Sequence, residues 1–127
     1  MSFDPSVWAR RVRLQHLRAV LVVAQSKSLA QASTQLGLTQ SAITKILQEV
    51  ESELEVQLFE RTSRGTHATP MGLLVVEHAK LIFTQLEQAA QAVHDTRQGL
   101  VGRVRVGALI AGAALLLPRA VAQMQMT

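Results

Sequence analysis

Residues 28–48, SLAQASTQLGLTQSAITKILQ, decide the fold of this chain. The stretch predicts two short helices joined by a tight turn at Gly37-Leu38-Thr39. Ser28 and Thr39 suit the N-caps of the two helices, because a hydroxyl oxygen accepts a hydrogen bond from a free first-turn amide. Gly37 ends the first helix, since glycine tolerates the left-handed conformation just past a C-terminus. This arrangement is a helix-turn-helix, a motif that places its second helix in the major groove of DNA.

The second helix of the motif, which we expect to run to about Leu54 or Val56, has two different faces. At 100° per residue its apolar side chains cluster on one side. They are Ile43, Ile46, Leu47, Val50 and Leu54. Short polar and basic side chains cluster on the opposite side. They are Ser41, Thr44, Lys45 and Gln48. The sequence therefore predicts a helix that is buried on one face and open to a partner on the other.

Two further helices are expected before the motif. Residues 6–13 can form a helix with Pro5 in its first turn. Apolar side chains at helical spacing then predict a longer helix that ends before Ser26-Lys27-Ser28. They are Leu14, Leu17, Val20, Leu21 and Ala24.

A hairpin is expected after the motif. Residues 58–61 predict a short strand, residues 62–65 a turn, and residues 66–69 a return strand. A hairpin in this position is the wing of a winged helix-turn-helix. We therefore predict a mainly α fold, with a winged helix-turn-helix domain over residues 1–69.

A long helix is predicted over residues 70–98, with Thr69 as its cap and Pro70 at its first position. Its apolar residues follow the spacing of a coiled-coil seam. They are Val75, Ala79, Ile82, Leu86, Ala89 and Val93. The seam either docks on its own domain or pairs with a second chain. We predict a dimerisation linker helix, because a helix of this length cannot bury its whole stripe against a domain of about 65 residues.

Residues 99–127 begin with a Gly-rich break, followed by the alternating strand pattern of Arg103–Gly107 and by the start of another helix. One strand and one unfinished helix cannot form a domain. The segment is therefore expected to be the truncated start of a second domain. The apolar run Val106–Pro118 is shorter than the roughly 20 residues that span a bilayer. We interpret it as a buried strand and helix start, and we expect no membrane association.

Composition excludes several classes of function. The chain has 127 residues, a formal net charge of +4 and no cysteine, so disulfides and thiolate metal sites are absent. Four histidines share no spacing that suggests a metal site. No nucleophile–base set, phosphate loop or carboxylate pair stands out, and we expect no enzymatic activity. The N-terminus lacks the apolar run of a signal peptide, which predicts a cytoplasmic protein.

From about Leu14 onward the chain resembles the N-terminal region of the LysR-type transcriptional regulators. Three segments carry the resemblance: residues 36–45 (LGLTQSAITK), residues 50–61 (VESELEVQLFER) and residues 64–72 (RGTHATPMG). The resemblance implies a periplasmic-binding-protein-like effector domain from residue 99 and a small-molecule inducer for the full-length protein. It also implies a homodimer through the linker helix, possibly a tetramer at full length, and no cofactor in this part. Lys45 replaces a frequent arginine, and residues 1–13 precede the usual family start.

The candidate DNA contacts come from both helices of the motif and from the wing. They are Ser28, Gln31, Ser33, Thr39, Gln40, Ser41, Ala42, Thr44, Lys45, Gln48, Arg61, Arg64 and Thr66. Gln40 either reaches an adenine edge or only supports the cap, and Lys45 contacts either a base or a phosphate. Arg61 is either a wing contact or the ion-pair partner of a glutamate.

Two hypotheses of function follow. The first is a sequence-specific regulator that binds double-stranded DNA as a dimer at a near-palindromic operator. The second is a helical adaptor that binds protein through the winged helix and the coiled coil. A salt-dependent gel shift on duplex DNA distinguishes them.

Overall fold

The computed structural model describes residues 2–99, which form five helices and one hairpin. In chain order these are α1 (Pro5–Arg11), α2 (Leu14–Gln25), α3 (Leu29–Leu36), α4 (Gln40–Leu54), β1 (Phe59–Thr62), β2 (Gly65–Ala68) and α5 (Pro70–Gly99). The mainly α winged helix-turn-helix predicted from the sequence is confirmed. The predicted helix over residues 70–98 is also present and extends to Gly99.

Three helices build the core around the apolar face of α4. Ile43 and Val50 are fully buried, and Val20 of α2 and Ala32 of α3 pack in the same cluster. Burying an aliphatic side chain of this size contributes about 1.5–3 kcal/mol. One side of α4 is therefore fixed by the core, which leaves the other side available for contact.

The wing is a two-stranded antiparallel sheet in which Phe59 pairs with Ala68 and Thr62 pairs with Gly65. Leu58 and Phe59 are buried in the core cluster, whereas the remaining residues of β1 are exposed. The hairpin is thus anchored at its base, and its tip is open to solvent.

The N-terminal helix α1 is hydrogen-bonded through a side chain to the C-terminal end of α4. Asp4 caps α1 by accepting hydrogen bonds from the amide and the hydroxyl of Ser6, and these bonds lower the pKa of the Asp4 carboxyl. Trp8 packs against the core and donates from its indole nitrogen to Oε1 of Glu53 at 3.2 Å. The segment before the usual family start is therefore an ordered element with a defined contact.

The first compact unit of the chain runs to Ile82 rather than to residue 69. Val76 and Ala79 of α5 are buried, and Val76 belongs to the core cluster. The domain boundary expected at residue 69 stays a prediction, but residues beyond it contribute to the core. The first turns of α5 complete the core of the winged domain.

Two details of the helix faces also differ from expectation. Leu14 was expected in the apolar stripe of α2 but is 48% exposed, whereas Val22 is buried. Because α2 contacts both α3 and α4, it buries a wider face than a single stripe provides. The expected strand and helix of residues 100–127 lie outside the described residues.

Candidate nucleic-acid interface

Two side-chain hydrogen bonds cap the start of α3. Ser28 Oγ accepts from the Gln31 amide at 3.1 Å, and Gln31 Oε1 accepts from the Lys27 amide at 2.6 Å. This arrangement is a variant of the capping box, because the glutamine at the third position of the helix binds the amide of the residue before the cap instead of the amide of the cap itself. Ser28 and Gln31, both candidate DNA contacts, therefore have a defined local role at the helix start.

The turn between α3 and α4 is fixed from both sides. Gly37 has φ +67°, and the Ser33 hydroxyl donates to the Leu38 carbonyl oxygen. Thr39 Oγ1 accepts from the Ala42 amide at 3.0 Å, which confirms it as the cap of α4. The hydroxyl proton of Ser33 is thus used within the turn, and a phosphate contact through that proton is not supported. Ala42, whose amide makes this bond, is half-buried.

The outer face of α4 presents the side chains expected there. Gln40, Ser41, Lys45 and Gln48 are exposed, and Thr44 is half-buried. Together with Arg61 of the wing these residues line one shallow cleft. The structure therefore gathers the polar face of α4 and one side of the hairpin into a continuous surface.

Arg61 reaches from β1 to the middle of this surface. Its Nη2 donates to Oγ1 of Thr44 at 2.8 Å. Within residues 2–99 Arg61 has no ion pair with a glutamate, so the alternative of a glutamate partner is not supported there. Thr66, which is paired with Arg61 across the hairpin, is half-buried, and Arg64 is exposed in the turn at the wing tip.

Glu51 links α4 to the wing through two hydrogen bonds that the sequence did not predict. Its Oε2 accepts from the amides of Leu58 and Phe59, at 2.7 Å and 3.1 Å. Hydrogen bonds to an ionised acceptor contribute about 1.5–3 kcal/mol each. A glutamate that lies seven and eight residues before the two amides it binds has no short-range signature, so only the folded geometry reveals this role. These two hydrogen bonds hold the start of the wing against α4.

The surface carries positive charge without internal neutralisation. Lys45, Arg61 and Arg64 are exposed, and the close contacts between acidic and basic side chains in the described part of the chain, His16–Glu49 at 3.8 Å and Glu77–Lys80 at 3.7 Å, involve none of them. Such cations are available to an anionic partner. Residues 2–99 hold no group of three side chains suited to a metal ion. Among the helices of these residues, none combines the length with the hydropathy that a membrane-spanning helix needs.

A comparison with known families agrees with this arrangement. Residues 14–73, which include α2 to α4 and the wing, match the model of the bacterial regulatory helix-turn-helix protein, lysR family. The chain belongs to the LysR family. Helix α1 lies before the matched residues.

Three proteins are similar to this LysR-family chain in sequence or in structure. The regulator GbpR of Azospirillum brasilense is 32% identical over 115 residues, which are 89% of this chain and 34% of GbpR. The crystal structure of the BenM DBD–catB site 1 DNA complex has a TM-score of 0.64 and 28% identity, covering 69% of this chain and 95% of that one. The CbnR DBD–DNA complex has a TM-score of 0.58 and 30% identity, covering 70% and 99%. The chain thus spans about a third of the length of GbpR, but nearly all of these two solved chains.

The predicted seam of the LysR-family linker helix is only partly exposed. Ala79 is fully buried in the first compact unit, so its side chain has no exposed area that a partner could cover. Ile82 is 37% exposed, Leu86 44% and Val93 66%, and Ala89 is also exposed, whereas Val75 is half-buried. Ala79 therefore belongs to the core, and the part of the seam that remains open begins at Ile82.

Proposed function

We propose that this chain binds double-stranded DNA sequence-specifically as the DNA-binding part of a bacterial LysR-type transcriptional regulator. The observation that carries the proposal is the outer face of α4, whose exposed polar and basic side chains continue onto the wing. The opposite face of α4 is fixed in the core, so the helix presents a rigid surface to the major groove. The similarity to two chains solved in DNA complexes favours DNA over a protein-binding adaptor.

Each part of the surface has its own task in this proposal. Gln40, at the start of α4, hydrogen-bonds an adenine edge, since glutamine matches adenine N6 and N7. Lys45 contacts guanine or phosphate as a single charge, because it lacks the bidentate fork of arginine. Arg64 contacts the backbone or the minor groove from the wing tip. Ser41 and Gln48, the other exposed polar side chains of the outer face, position the helix on phosphates.

The wider assignment is proposed on the same basis. Residues 70–98 form the linker helix of a homodimer, which reads two half-sites of a near-palindromic operator. Residues 99–127 begin the effector domain, through which a small-molecule inducer acts in the full-length protein. The relatives are transcriptional regulators, and we assign no catalytic activity to this chain. Its place of action is the cytoplasm, where bacterial DNA is found.

The experiment is a binding-site selection followed by titrations of the preferred duplex at several salt concentrations. Affinity is expected to fall steeply with salt, because each phosphate neutralised by the protein releases counterion. Gln40→Ala should relax the sequence preference and weaken the preferred site by about 1–3 kcal/mol. Arg64→Ala should weaken most sequences equally and reduce the salt slope by about one.

Arg97, in the last turn of α5, provides a control for general charge. Arg97→Ala removes the same charge as Arg64→Ala and should leave both the preference and the salt slope unchanged. Salt-insensitive binding, or no binding to any sequence of the library, would contradict the proposal.

A further inference from the structure

The hydrogen bond between Arg61 and Thr44 determines what the threonine can offer to a ligand. Arg61 Nη2 donates to Thr44 Oγ1 at 2.8 Å, so the hydroxyl oxygen acts as the acceptor. A threonine hydroxyl has one proton, and a guanidinium has no acceptor for it. The proton of Thr44 must therefore be directed away from Arg61.

No described residue accepts that proton. Thr34 of α3 illustrates the usual alternative, since its hydroxyl donates back to the Ala30 carbonyl oxygen at 3.2 Å. Thr44 makes no such bond within residues 2–99 and lies half-buried in the cleft formed with Gln40, Ser41 and Lys45. Its donor is thus unused at the surface that we assign to DNA.

The neighbouring cation strengthens this donor. A hydroxyl that accepts a hydrogen bond from a charged group is polarised and donates more strongly itself. Arg61 also keeps further N–H groups beyond the one bound to Thr44. The pair therefore presents several donors side by side, and Arg61 occupies one of the two acceptor lone pairs of the Thr44 hydroxyl, so donors outnumber acceptors at this point of the surface.

We infer that Arg61 is a positioning residue that fixes Thr44 as a hydrogen-bond donor, and that the pair selects guanine at one base pair of the operator. Guanine is the base whose major-groove edge carries two adjacent acceptors, N7 and O6. Cytosine offers a donor there, adenine offers one donor beside its acceptor, and thymine offers one acceptor beside a methyl group, so each of them leaves at least one donor of the pair without an acceptor. This inference rests on the proposed function and specifies part of its sequence preference.

The competing role for Arg61 is an independent phosphate contact. In that case the bond to Thr44 would be exchanged for a phosphate on binding, and Arg61 would carry no sequence information. The two roles predict different results for the same substitutions. A double-mutant cycle separates them, because coupled residues give non-additive effects.

The test uses the full chain of 127 residues and the duplex obtained by binding-site selection. Thr44→Val removes the hydroxyl at nearly constant shape, Thr44→Ser keeps it, and Arg61→Gln removes the charge. Thr44→Val and Arg61→Gln should each lower affinity about tenfold and relax the guanine preference at the same base pair. The double variant should lose about tenfold rather than about a hundredfold, and Thr44→Ser should keep the preference.

Lys45→Gln is the matched control, since it removes an exposed charge from the same face of α4. Combined with Arg61→Gln its effect should multiply, because the structure shows no bond between the two side chains. Melting temperatures of all variants report the fold, and Arg61→Lys provides a second variant that keeps the charge but loses the fork.

Three results would overturn the inference. The first is a double variant in which the losses multiply, and the second is an Arg61→Gln variant that lowers the salt slope by about one but keeps the preference of the wild type. The third is a preference for a base other than guanine at the shared position. If the wild-type chain bound no duplex or showed no preference, the proposed function itself would fail, and this inference with it.

Discussion

Gly72 shows how a single backbone position joins the wing to the linker helix. A Cβ atom added at this residue would lie 2.1 Å from the carbonyl oxygen of Leu58 and 3.3 Å from Cβ of Ala68. Real Cβ atoms do not approach a backbone oxygen so closely, and the oxygen belongs to a residue that is itself fully buried. The first turn of α5 can therefore cross the base of the hairpin only without a side chain.

Gly72→Ala is expected to destabilise the protein although alanine favours helix. The helical preference gains about 1 kcal/mol, but moving α5 away from the carbonyl group of Leu58 costs about 1–3 kcal/mol, because the added methyl group overpacks this contact. The net loss should appear as a lower midpoint in urea unfolding. Ser52→Ala, at an exposed position of α4, should change stability by less than about 0.5 kcal/mol. Equal midpoints for both variants would contradict the close approach at Gly72.

At the scale of the elements, helix α1 adds to the domain that the family model covers. Its contact with the core depends on Trp8, which is half-buried and bonded to Glu53. The helix has only seven residues and no buried residue of its own. A helix this short is unstable in isolation, so its order comes from this docking.

Two substitutions at Trp8 separate packing from hydrogen bonding. Trp8→Phe keeps most of the ring and loses the bond to Glu53, which should cost about 1 kcal/mol. Trp8→Ala also loses the packing and should cost about 2 kcal/mol or more. Hydrogen exchange of the α1 amides should accelerate strongly only in Trp8→Ala. Arg10→Ala, exposed on the same helix, should leave exchange unchanged, and similar exchange in all three variants would mean that Trp8 does not anchor α1.

The helix-turn-helix was predictable because its signals are local. Ser28, Gly37 and Thr39 act within a few residues of themselves, and the apolar face of α4 repeats at the helical period. The same helical period also predicted which side chains of α4 in the candidate site are exposed.

The contacts that the sequence did not reveal join distant residues. Arg61 and Thr44 are 17 residues apart, and neither spacing nor composition pairs them. The burial of Ala79 likewise depends on how α5 crosses the core, because small residues suit both a seam and a core. The sequence thus predicted which residue types lie on each face, whereas the hydrogen-bonding and packing partners of these residues are visible only in the folded structure.

At the scale of the whole molecule, the open part of α5 predicts assembly. Leu86 and Val93 are 44% and 66% exposed and are spaced as in a coiled-coil seam. Covering such side chains contributes about 1.5–3 kcal/mol each when burial is complete. Both residues lie beyond the first compact unit, so replacing them does not disturb the winged core.

The double variant Leu86→Glu with Val93→Glu is expected to be monomeric, because carboxylates in an apolar seam lack partners. Analytical ultracentrifugation measures the change directly. The variant should also lose most of its affinity for a two-half-site duplex, since two linked contacts bind far more tightly than one. Leu81→Glu changes an apolar residue that is 64% exposed but off the seam, and it should remain dimeric. A dimer that persists in the double variant would place the interface elsewhere.

The link between Trp8 and Glu53 has a consequence for the order of events during synthesis. The two residues are 45 positions apart, so the segment made first lacks its docking site until α4 has been translated. At about 5–20 residues per second this interval is about 2–9 s. A seven-residue helix is unstable in isolation, so α1 gains nothing from forming before α4 is available. The segment that is synthesised first therefore reaches its native place only after α2, α3 and α4 have been made.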